Sequence, residues 1–301
     1  MNAFAIVTVI HNSEAELDGL LDSVVRHLHP RPRVVVVDSG SSDGGAARAR
    51  DWGAEVVDLG ANRGFGAANN AGLERVREPV AALVNPDVEL LDDGLVRLAE
   101  LAASHEALEV PRLLNADGSV QDSAHPLPGT LEAFVPALLP RPLLPGSLRR
   151  RYEPWRSDSD RPVGWALAAC LAARTDLLRR LGPFDAEAFL FYEDMELCLR
   201  ARAEGVPTML RPDIRVRHLG GTSTARALGS RALELHAQRR REVVAGRGRL
   251  ALAIDDASEA ATFGLRAAAR RLAGRGGELE LARLRALREA RRSPTGAARE
   301  H

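Results

Sequence analysis

Three short runs of β-branched and aliphatic residues constrain the fold of this chain more than any other feature of its sequence. They span Phe4 to Ile10, Val34 to Val37 and Val80 to Val84, and small or polar residues follow each of them. Uninterrupted apolar runs of this length are typical of parallel strands that are buried on both faces of a sheet. The runs therefore predict the centre of a mostly parallel sheet.

The stretches between these runs have the periodicity of helices. In Ser13 to Leu28 the first residue is followed three positions later by Glu16, the pattern of a capping box, and leucine and valine then recur at helical spacing. Further helices are predicted after Ser42 to Gly44, from about Gly66 to Val76, and from Asp92 to Ala103. Strands that alternate with helices indicate a doubly wound, Rossmann-like α/β sheet with helices on both faces.

The pattern changes between Pro111 and Asp160. Asp117-Gly118 marks a hairpin turn, and a long, partly mobile connection over the sheet is expected after it. Order returns at Gly164, and a short helix is predicted from Asp194 to Ala203. The prolines that interrupt regular structure in the connection are Pro126, Pro128, Pro136, Pro140, Pro142 and Pro145.

The C-terminal part is helical and rich in arginine. We expect a catalytic domain over residues 1–245 and a helical extension over 246–301, in which four leucines form an amphipathic stripe that could pack against protein or lie on lipid. The N-terminus lacks the order of a secretory signal, and the longest apolar run, Val163 to Ala173, is too short to span a bilayer. A cytoplasmic protein is therefore expected, with peripheral contact to the inner face of the membrane through the tail as a further possibility. The stripe consists of Leu279, Leu281, Leu284 and Leu287.

Polar clusters follow all three predicted strands. They are His11-Asn12-Ser13, Asp38 to Asp43, and Asn85-Pro86-Asp87. Ligands of doubly wound sheets bind beyond the carboxyl ends of the strands, so these clusters are candidates for a site. Each cluster taken alone is equally typical of a tight turn or a helix cap.

Five longer strings stand out along the chain: VVVVDSGSSDG from Val34, NRGFGAANNAG from Asn62, LVNPDV from Leu83, GPFDAEAFLFYED from Gly182 and VRHLGGTS from Val216. Taken together, they resemble family 2 glycosyltransferases of the GT-A fold. The resemblance runs in the family's order from about residue 4 to 245, and it is closest to bacterial rhamnosyltransferases that extend a lipid-linked N-acetylglucosamine. Asp117 to Val120 (DGSV) and Arg161 to Trp165 (RPVGW) add to it.

The resemblance implies a site for a nucleoside diphosphate sugar, linked to dTDP or UDP. Asp38 would read the nucleotide base, with Thr8 and His11 bordering the same pocket. The usual aromatic residue at position 11 is replaced here by His, so base stacking is not implied. The remaining residues assigned to this donor site are Arg63, Gly64, Asn69 and Asn85.

The resemblance also implies a divalent cation, Mg²⁺ or Mn²⁺, held by Asp87 and His218. A hard cation prefers oxygen ligands and neutralises charge on the leaving diphosphate. Many relatives have Asp-x-Asp where this chain has Asn-Pro-Asp, so a single carboxylate is present. Without the family match, a lone histidine is more often structural.

For catalysis, the resemblance makes Asp194 the base that takes the proton of the acceptor hydroxyl, with Glu193 as second candidate. Inverting transfer needs one such base on the face opposite the leaving group. Trp165 would stack on an acceptor sugar, although a core tryptophan is an equal alternative. Arg239 to Arg241 would clamp diphosphate or only solvate a helix, and the second alternative is slightly favoured.

These features predict an inverting glycosyltransferase that moves L-rhamnose from dTDP-rhamnose to a hydroxyl of a lipid-linked or polysaccharide acceptor in cell-envelope glycan synthesis. Galactofuranose, mannose or N-acetylglucosamine donors stay open, as does a catalytically silent nucleotide or glycan binder. No nucleic acid partner is expected. A dehydrogenase is disfavoured because Asn69 stands at the third glycine position of the sequence Gly64-x-Gly66-x-x-Asn69.

Overall fold

The computed structural model describes residues 4–138, 151–182, 184–185, 191–220 and 231–292. The chain divides into two compact units, Met1–Ala124 with Trp155–Ser223, and His125–Pro154 with Thr224–His301. In chain order the elements are β1 (Phe4–Ile10), α1 (Glu14–His27), β2 (Arg33–Asp38), α2 (Gly45–Trp52), β3 (Glu55–Asp58), α3 (Phe65–Arg75), β4 (Val80–Val84), β5 (Val88–Leu90), α4 (Gly94–Ser104), β6 (Leu108–Leu114), β7 (Ala124–His125), α5 (Leu131–Leu138), a 3-10 turn (Pro154–Arg156), β8 (Arg161–Val163), β9 (Trp165–Ala166), β10 (Cys170–Arg174), α6 (Thr175–Leu181), α7 (Glu193–Ala203), β11 (Thr208–His218), α8 (Arg231–Ala245), α9 (Arg249–Leu272) and α10 (Glu278–Arg292).

The first unit is built on a nine-stranded sheet. Its strand order is β3-β2-β1-β4-β10-β6-β11-β5, and β8 pairs with β11. β1, β2, β3 and β4 are parallel, as are β6 and β11, whereas β5, β8 and β10 run antiparallel to their neighbours. The three strands predicted from the apolar runs are confirmed, and they lie side by side as β2, β1 and β4.

Burial explains the apolar composition of these elements. All five residues of β4 are buried, and so are the leucines that α1 turns toward the sheet, Leu17, Leu20 and Leu21. α3 lies especially close to the sheet at Gly72, where a Cβ atom would be 2.4 Å from Val7 Cγ1. A side chain at this position would push the helix away from β1.

Two predictions of local structure are wrong. The capping box does not form, because Ser13 Oγ donates to His11 O at 3.2 Å and makes no capping bond to α1. Pro111 lies inside β6 and does not begin a connection. A proline cannot donate to a sheet, and β10 pairs with β6 two residues earlier, at Ala172 and Glu109.

The hairpin predicted at Asp117-Gly118 is confirmed. Gly118 donates its backbone N–H to Asn115 O at 2.9 Å, and Leu114 bridges to Val120. Of the prolines expected to interrupt structure, Pro140, Pro142 and Pro145 lie outside the described residues. Parts of two motifs, residues 183 and 186–190 and residues 221–223, lie outside them as well.

The second unit contains α5, α8, α9 and α10, so this division does not coincide with the expected boundary at residue 245. The predicted leucine stripe on α10 is only partly buried: Leu287 is 5% exposed, whereas Leu279 is 52% exposed. Arg240 makes two 2.8 Å bonds to Asp255, and Arg241 pairs with Asp256, so these arginines hold the helices of this unit together. No described helix combines the length and apolar character needed to cross a membrane.

Candidate active site

One edge of the sheet collects the carboxyl ends of six parallel strands. β10 is antiparallel to both β4 and β6, so these two strands run in the same direction, and their parallel partners follow them. Loops that leave such an edge are where doubly wound sheets bind ligands. The predicted residues His11, Asp38, Asn85 and His218 all lie at or just beyond these strand ends.

Side chains fasten the loop after β1 to the loop after β2. Asn12 has a positive φ of 53°, and its Oδ1 accepts from the backbone N–H of Ser42 at 2.7 Å and from the Ser42 hydroxyl at 3.0 Å. The backbone N–H of Glu14 donates to Asp43 Oδ2 at 3.0 Å, and Glu14 Oε2 accepts from Gly44 at 3.1 Å. Part of both polar clusters therefore builds the loops themselves, which is the role that turn chemistry predicts for such residues.

Three predicted donor-site residues meet around Ser39. Asp38 is 5% exposed, and its Oδ1 accepts from the backbone N–H of Ser41 at 2.9 Å. His11 Nδ1 lies 2.9 Å from Ser39 O, and the backbone N–H of Arg63 donates to Ser39 Oγ at 3.0 Å. The structure thus brings Asp38, His11 and Arg63 to one place.

Gly40 allows the loop after β2 to touch the loop after β3. Its φ is +72°, and a Cβ atom there would lie 2.7 Å from the backbone carbonyl carbon of Ala61. Gly64, which precedes α3, has a φ of 80°. Both positions therefore need glycine for their backbone conformation.

Thr8 and Asn69, also assigned to the donor, are buried. Thr8 is 0% exposed, and its hydroxyl has no hydrogen-bond partner among the described residues. Asn69 is 2% exposed, and its Nδ2 donates to Phe65 O at 3.0 Å, one turn earlier in α3. The contact of these two residues with a donor stays a prediction.

The two predicted metal ligands lie side by side. Asp87 follows β4, His218 ends β11, and His218 Nε2 lies 3.4 Å from Asp87 Oδ1. Asp87 Oδ2 accepts from the backbone N–H of Gly220 at 3.1 Å, and Asp87 O accepts from that of Leu219 at 3.0 Å. These bonds fix the carboxylate beside the imidazole. Within the described ranges no group of three or more His, Cys, Asp or Glu side chains is placed to hold a metal ion.

Asp194 lies in the first turn of α7, where the positive end of the helix favours a carboxylate. Its Oδ1 accepts from the backbone N–H of Met195 at 2.7 Å, and the backbone of Ala168 also donates to this carboxyl group. Burial nevertheless raises the pKa of Asp194 to about 6, because removing a carboxylate from water outweighs these hydrogen bonds. The neighbouring Glu193 is buried at 6% exposure.

Ala168 and Ala169 form hydrogen bonds with two parts of the site, the loop that carries Asp87 and the carboxyl group of Asp194. Ala169 O accepts from the backbone N–H of Asn85 at 2.8 Å, two residues before Asp87, while Ala168 bonds to the carboxyl group of Asp194. Because β10 is antiparallel to β4, the residues before β10 lie at the edge where β4 ends. Asp87 and Asp194 therefore both lie at the carboxyl edge of the sheet.

The backbone just before α7 has an unusual conformation. Phe191 and Tyr192 both have positive φ, 76° and 63°, which non-glycine residues rarely adopt. The ring of Tyr192 packs edge-on against Trp165, with ring centroids 6.2 Å apart. Trp165 is 7% exposed, so most of its indole is buried in this packing and little of it is left for stacking on an acceptor sugar.

Two site residues were not found from the sequence. Gln121 bonds to His218 with Oε1 2.8 Å from Nδ1, and Asn70 bonds to the backbone of Phe184. Each contact joins residues about a hundred positions apart in the chain. No periodicity or local motif in the sequence points to such pairs.

Solved structures that share this fold include two glycosyltransferases with a nucleotide and Mn²⁺. The mannosyltransferase PcManGT of Pyrobaculum calidifontis, in complex with GDP-Man and Mn²⁺, superposes with a TM-score of 0.60 at 16% identity, covering 96% of this chain and 86% of that one. GalNAc-T7 with UDP, GalNAc and Mn²⁺ gives a TM-score of 0.56 at 14% identity, covering 80% of this chain and 51% of that one. The present chain thus spans about half of the GalNAc-T7 chain. Its fold is that of the GT-A glycosyltransferases, as the resemblance implied.

The family follows from the sequence comparison. The family model described as glycosyl transferase family 2 matches residues 5–155, and the chain belongs to that family of glycosyltransferases. It is 28% identical over 241 residues to the N-acetylglucosaminyl-diphospho-decaprenol L-rhamnosyltransferase of Mycobacterium tuberculosis, covering 73% of this chain and 77% of the relative. It is also 27% identical over 216 residues to a low-salt glycan biosynthesis hexosyltransferase of Haloferax volcanii, covering 68% of this chain and 64% of the relative.

Proposed function

We propose that this enzyme transfers L-rhamnose from dTDP-rhamnose, with inversion, to a hydroxyl of a polyprenyl-diphosphate-linked acceptor in cell-envelope glycan synthesis. The observation that carries the proposal is that one dipeptide, Ala168-Ala169, bonds both to the carboxyl group of Asp194 and to the backbone of Asn85, two residues before Asp87, at the carboxyl edge of the sheet. Transfer needs a group at the leaving diphosphate and a base at the incoming alcohol, and this connection supports Asp87 in the first role and Asp194 in the second. The rhamnosyl choice is supported by the mycobacterial relative.

The donor would bind between the loops that meet at Ser39. Asp38 accepts from an N–H of the base, and His11 and Arg63 border the same space, since all three surround Ser39. The Thr8 hydroxyl, which has no hydrogen-bond partner in the described part of the chain, lies on β1 close to these loops. The diphosphate would then extend toward Asn85 and the end of β4, with Gly64 and Asn69 at the start of α3 completing the donor site.

Asp87 and His218 would hold Mg²⁺ or Mn²⁺. Metal–ligand bonds of about 2.1 Å at right angles separate neighbouring ligand atoms by about 3.0 Å, and the observed spacing of 3.4 Å is close to this value. A cation with few protein ligands is typical of sites in which substrate phosphates and water complete the coordination. When bound, the cation neutralises the charge that develops on the diphosphate.

Asp194 would take the proton of the acceptor hydroxyl. A pKa of about 6 leaves the carboxylate ionised at neutral pH and makes it more basic than an exposed aspartate. Met195 fixes its orientation through the bond to Oδ1. Glu193, the preceding residue, is the second candidate for this role. Trp165 would support the acceptor side mainly through its packing on Tyr192.

The polyprenyl part of such an acceptor lies in a membrane, and the second unit carries a surface suited to it. Leu265, Leu272 and Leu279 are 49%, 91% and 52% exposed. Arg275 is exposed between the last two leucines in the chain, while the exposed Arg270 and Arg271 pair with Glu280 and Glu278. Exposed leucine combined with arginine favours binding to anionic lipid. We therefore infer that the enzyme works at the cytoplasmic membrane surface through this unit.

A second candidate is the same reaction with galactofuranose, mannose or N-acetylglucosamine. It is supported by the hexosyltransferase relative, whose identity of 27% is close to the 28% of the rhamnosyltransferase. A silent nucleotide or glycan binder is disfavoured, because a binder has no need of a buried carboxylate whose pKa is raised.

A panel of nucleotide sugars tests both candidates. Thermal shift with dTDP-rhamnose, UDP-galactofuranose, GDP-mannose and UDP-N-acetylglucosamine, with and without Mn²⁺, reports which donor stabilises the fold. Transfer to a polyprenyl-diphosphate N-acetylglucosamine is then followed by mass, and NMR of the product gives the anomeric configuration. Selective use of dTDP-rhamnose with inversion is expected. Selective use of another sugar would replace the rhamnosyl assignment, and donor binding without any transfer would favour the silent binder.

A further inference from the structure

The imidazole of His218 has a different partner at each nitrogen. Nε2 lies 3.4 Å from Asp87 Oδ1, and Nδ1 lies 2.8 Å from Gln121 Oε1. The histidine side chain is 13% exposed, so water has little access to the ring. The contact with Gln121 therefore decides how the ring is oriented and which nitrogen carries the proton.

A series of hydrogen-bonded side chains that starts at the carboxylate of Asp117 determines which atom donates and which accepts in the contact between Gln121 and His218. Asp117 Oδ1 accepts from the Ser119 hydroxyl at 2.6 Å, which uses the single proton of that hydroxyl. Ser119 Oγ must then accept from Asn115 Nδ2, at 2.9 Å. The amide of Asn115 is thereby oriented with its oxygen pointing away from Ser119.

The orientation of the Asn115 amide in turn fixes the orientation of the Gln121 amide that contacts His218. Asn115 Oδ1 accepts from Gln121 Nε2 at 3.1 Å, so Gln121 presents its carbonyl oxygen, Oε1, to His218. An amide oxygen can only accept, and His218 Nδ1 must therefore be the protonated nitrogen. Nδ1 thus keeps its proton, and Nε2, the nitrogen that faces Asp87, is the one whose lone pair a cation would use.

The backbone around these side chains is held by its own hydrogen bonds. The hairpin is closed by Asn115 N–H donating to Ser119 O at 2.8 Å, and the backbone N–H of Gln121 donates to Leu113 O at 2.9 Å. His218 is fixed in turn by the pairing of β11 with β5 opposite Val88. The Gln121 amide therefore meets the ring in a fixed geometry before any ligand binds.

We propose that Gln121 is a positioning residue, which holds His218 as the Nδ1–H tautomer so that Nε2 is available to a divalent cation beside Asp87. This inference rests on the proposed metal role of His218. The string Asp117 to Val120, noted in the sequence only as part of a resemblance, would then orient the amide of Gln121. Loss of a hydrogen-bonding partner of a metal-bound histidine lowers metal affinity about 10- to 100-fold.

Two variants of Gln121 separate its contact with the histidine from the rest of the network. In Gln121→Glu a carboxylate oxygen still accepts from His218 Nδ1, while the donation to Asn115 is lost. In Gln121→Leu both contacts are lost. If Gln121 acts through His218, the Glu variant retains the tautomer and the Leu variant does not.

The first measurement needs neither metal nor activity. Two-bond ¹H–¹⁵N NMR of the full-length, metal-free protein reports the tautomer of each of its eight histidines, and the His218 signals are assigned by their loss in His218→Ala. We expect Nδ1–H in the wild type and in Gln121→Glu, and a shift toward Nε2–H in Gln121→Leu. An Nε2–H tautomer in the wild-type protein would overturn the inference.

The second measurement is the dissociation constant of MnCl₂ in the presence of dTDP, taken by electron paramagnetic resonance. We expect about 10- to 100-fold weaker binding in Gln121→Leu and near-normal binding in Gln121→Glu, at comparable melting temperatures. Normal affinity in Gln121→Leu, together with lost affinity in His218→Ala, would overturn the role of Gln121 alone. Unchanged affinity in His218→Ala would overturn the metal assignment, and the inference with it.

Discussion

The side chain of Asn70 forms two hydrogen bonds with the main chain of Phe184, and it thereby joins α3 to the segment that leads toward α7. Nδ2 donates to Phe184 O at 2.9 Å, and Oδ1 accepts from Phe184 N–H at 3.1 Å. The rings of Phe65 and Phe184 pack edge-on beside this contact, with centroids 5.7 Å apart. One amide therefore links the helix after the donor loops to the part of the chain that carries Asp194.

Asn70→Leu tests this link. It preserves the approximate volume but removes both bonds, and each net bond contributes about 0.5 to 1.5 kcal/mol, so a loss of about 1 to 3 kcal/mol of unfolding free energy is expected. Denaturant unfolding measures this loss, and steady-state kinetics should show a lower kcat. Ser104→Ala, which removes one side-chain bond to the backbone of Glu100 in α4, is the control for kcat, because Ser104 has no part in the proposed site. Unchanged stability and kcat in Asn70→Leu would contradict the link.

Asp194→Asn should reduce kcat about 10²- to 10⁴-fold, the usual contribution of a general base. The asparagine side chain keeps an oxygen that can accept from Met195 N–H, so folding should be preserved. Glu196→Gln is the control on the same helix, because Glu196 pairs with Arg200 and has no proposed part in transfer. A kcat in Asp194→Asn close to that of the wild type would shift the role to Glu193, and Glu193→Gln would then be expected to lose activity.

The raised pKa of Asp194 predicts how stability depends on pH. Folding favours the protonated carboxyl group, so its stabilising effect is complete below 3.8, the ordinary pKa of an aspartate, and is lost as pH rises through about 6. At pH 8 the buried carboxylate should cost about 1 to 3 kcal/mol. Asp194→Asn should therefore be more stable than the wild type at pH 8, with a gap that narrows toward pH 4. Denaturant unfolding at both pH values checks this, and a gap that does not vary with pH would contradict it.

The ionisation of Asp194 also predicts how the activity of the enzyme falls at low pH, the acid limb of its pH profile. Since the base must be unprotonated, kcat/KM should rise with pH through about 6 and level off above it, because that is the pKa of Asp194. A pH profile of the wild-type enzyme, measured at saturating Mn²⁺, would show the limb. The residual activity of Asp194→Asn should lack it, and a limb that persists in that variant would assign the titration to another group.

Removal of the cation should abolish transfer, and Asp87→Asn should weaken the binding of Mn²⁺. The neutral amide still has an oxygen for Gly220 N–H, so the loop should keep its position while the negative charge is lost. Dialysis against EDTA followed by readdition of Mn²⁺ measures the requirement in the wild type. Full activity after EDTA treatment, with no response to added metal, would rule out the role proposed for Asp87 and His218.

Exposed leucines of the second unit should mediate membrane binding. Replacing Leu265, Leu272 and Leu279 together by Ser should reduce flotation with vesicles that contain phosphatidylglycerol. Leu250→Ser is the matched control, because Leu250 is 76% exposed near the other end of α9. Equal flotation of the triple variant and the wild type would count against this surface.

Much of the fold could be predicted because it depends on local pattern. The apolar runs of β1, β2 and β4 are buried on both faces, and helical spacing located α1, α3 and α4 within a few residues. The predicted capping box does not form, because the hydroxyl of Ser13 donates to the backbone oxygen of His11 and does not cap α1. The place of Pro111 inside a strand could not be predicted, because the sequence does not show which neighbour a strand residue pairs with.

The candidate site was predictable where family motifs mark it and not where distant residues meet. Asp87 and His218 were named from two motifs, and the structure places them together. Gln121 and Asn70 act through contacts that arise only when strands and helices assemble, and a single polar side chain in a sequence gives no indication of such a partner. The antiparallel direction of β10 was likewise not visible in its composition.

The reversed direction of β10 has a consequence for how such an enzyme can diverge. Ala168 bonds to the carboxyl group of Asp194, and Ala169 bonds to the backbone of Asn85, two residues before Asp87. An insertion or deletion between Trp165 and Cys170 would therefore displace both carboxylates at once. The length of this short stretch should therefore tolerate change poorly.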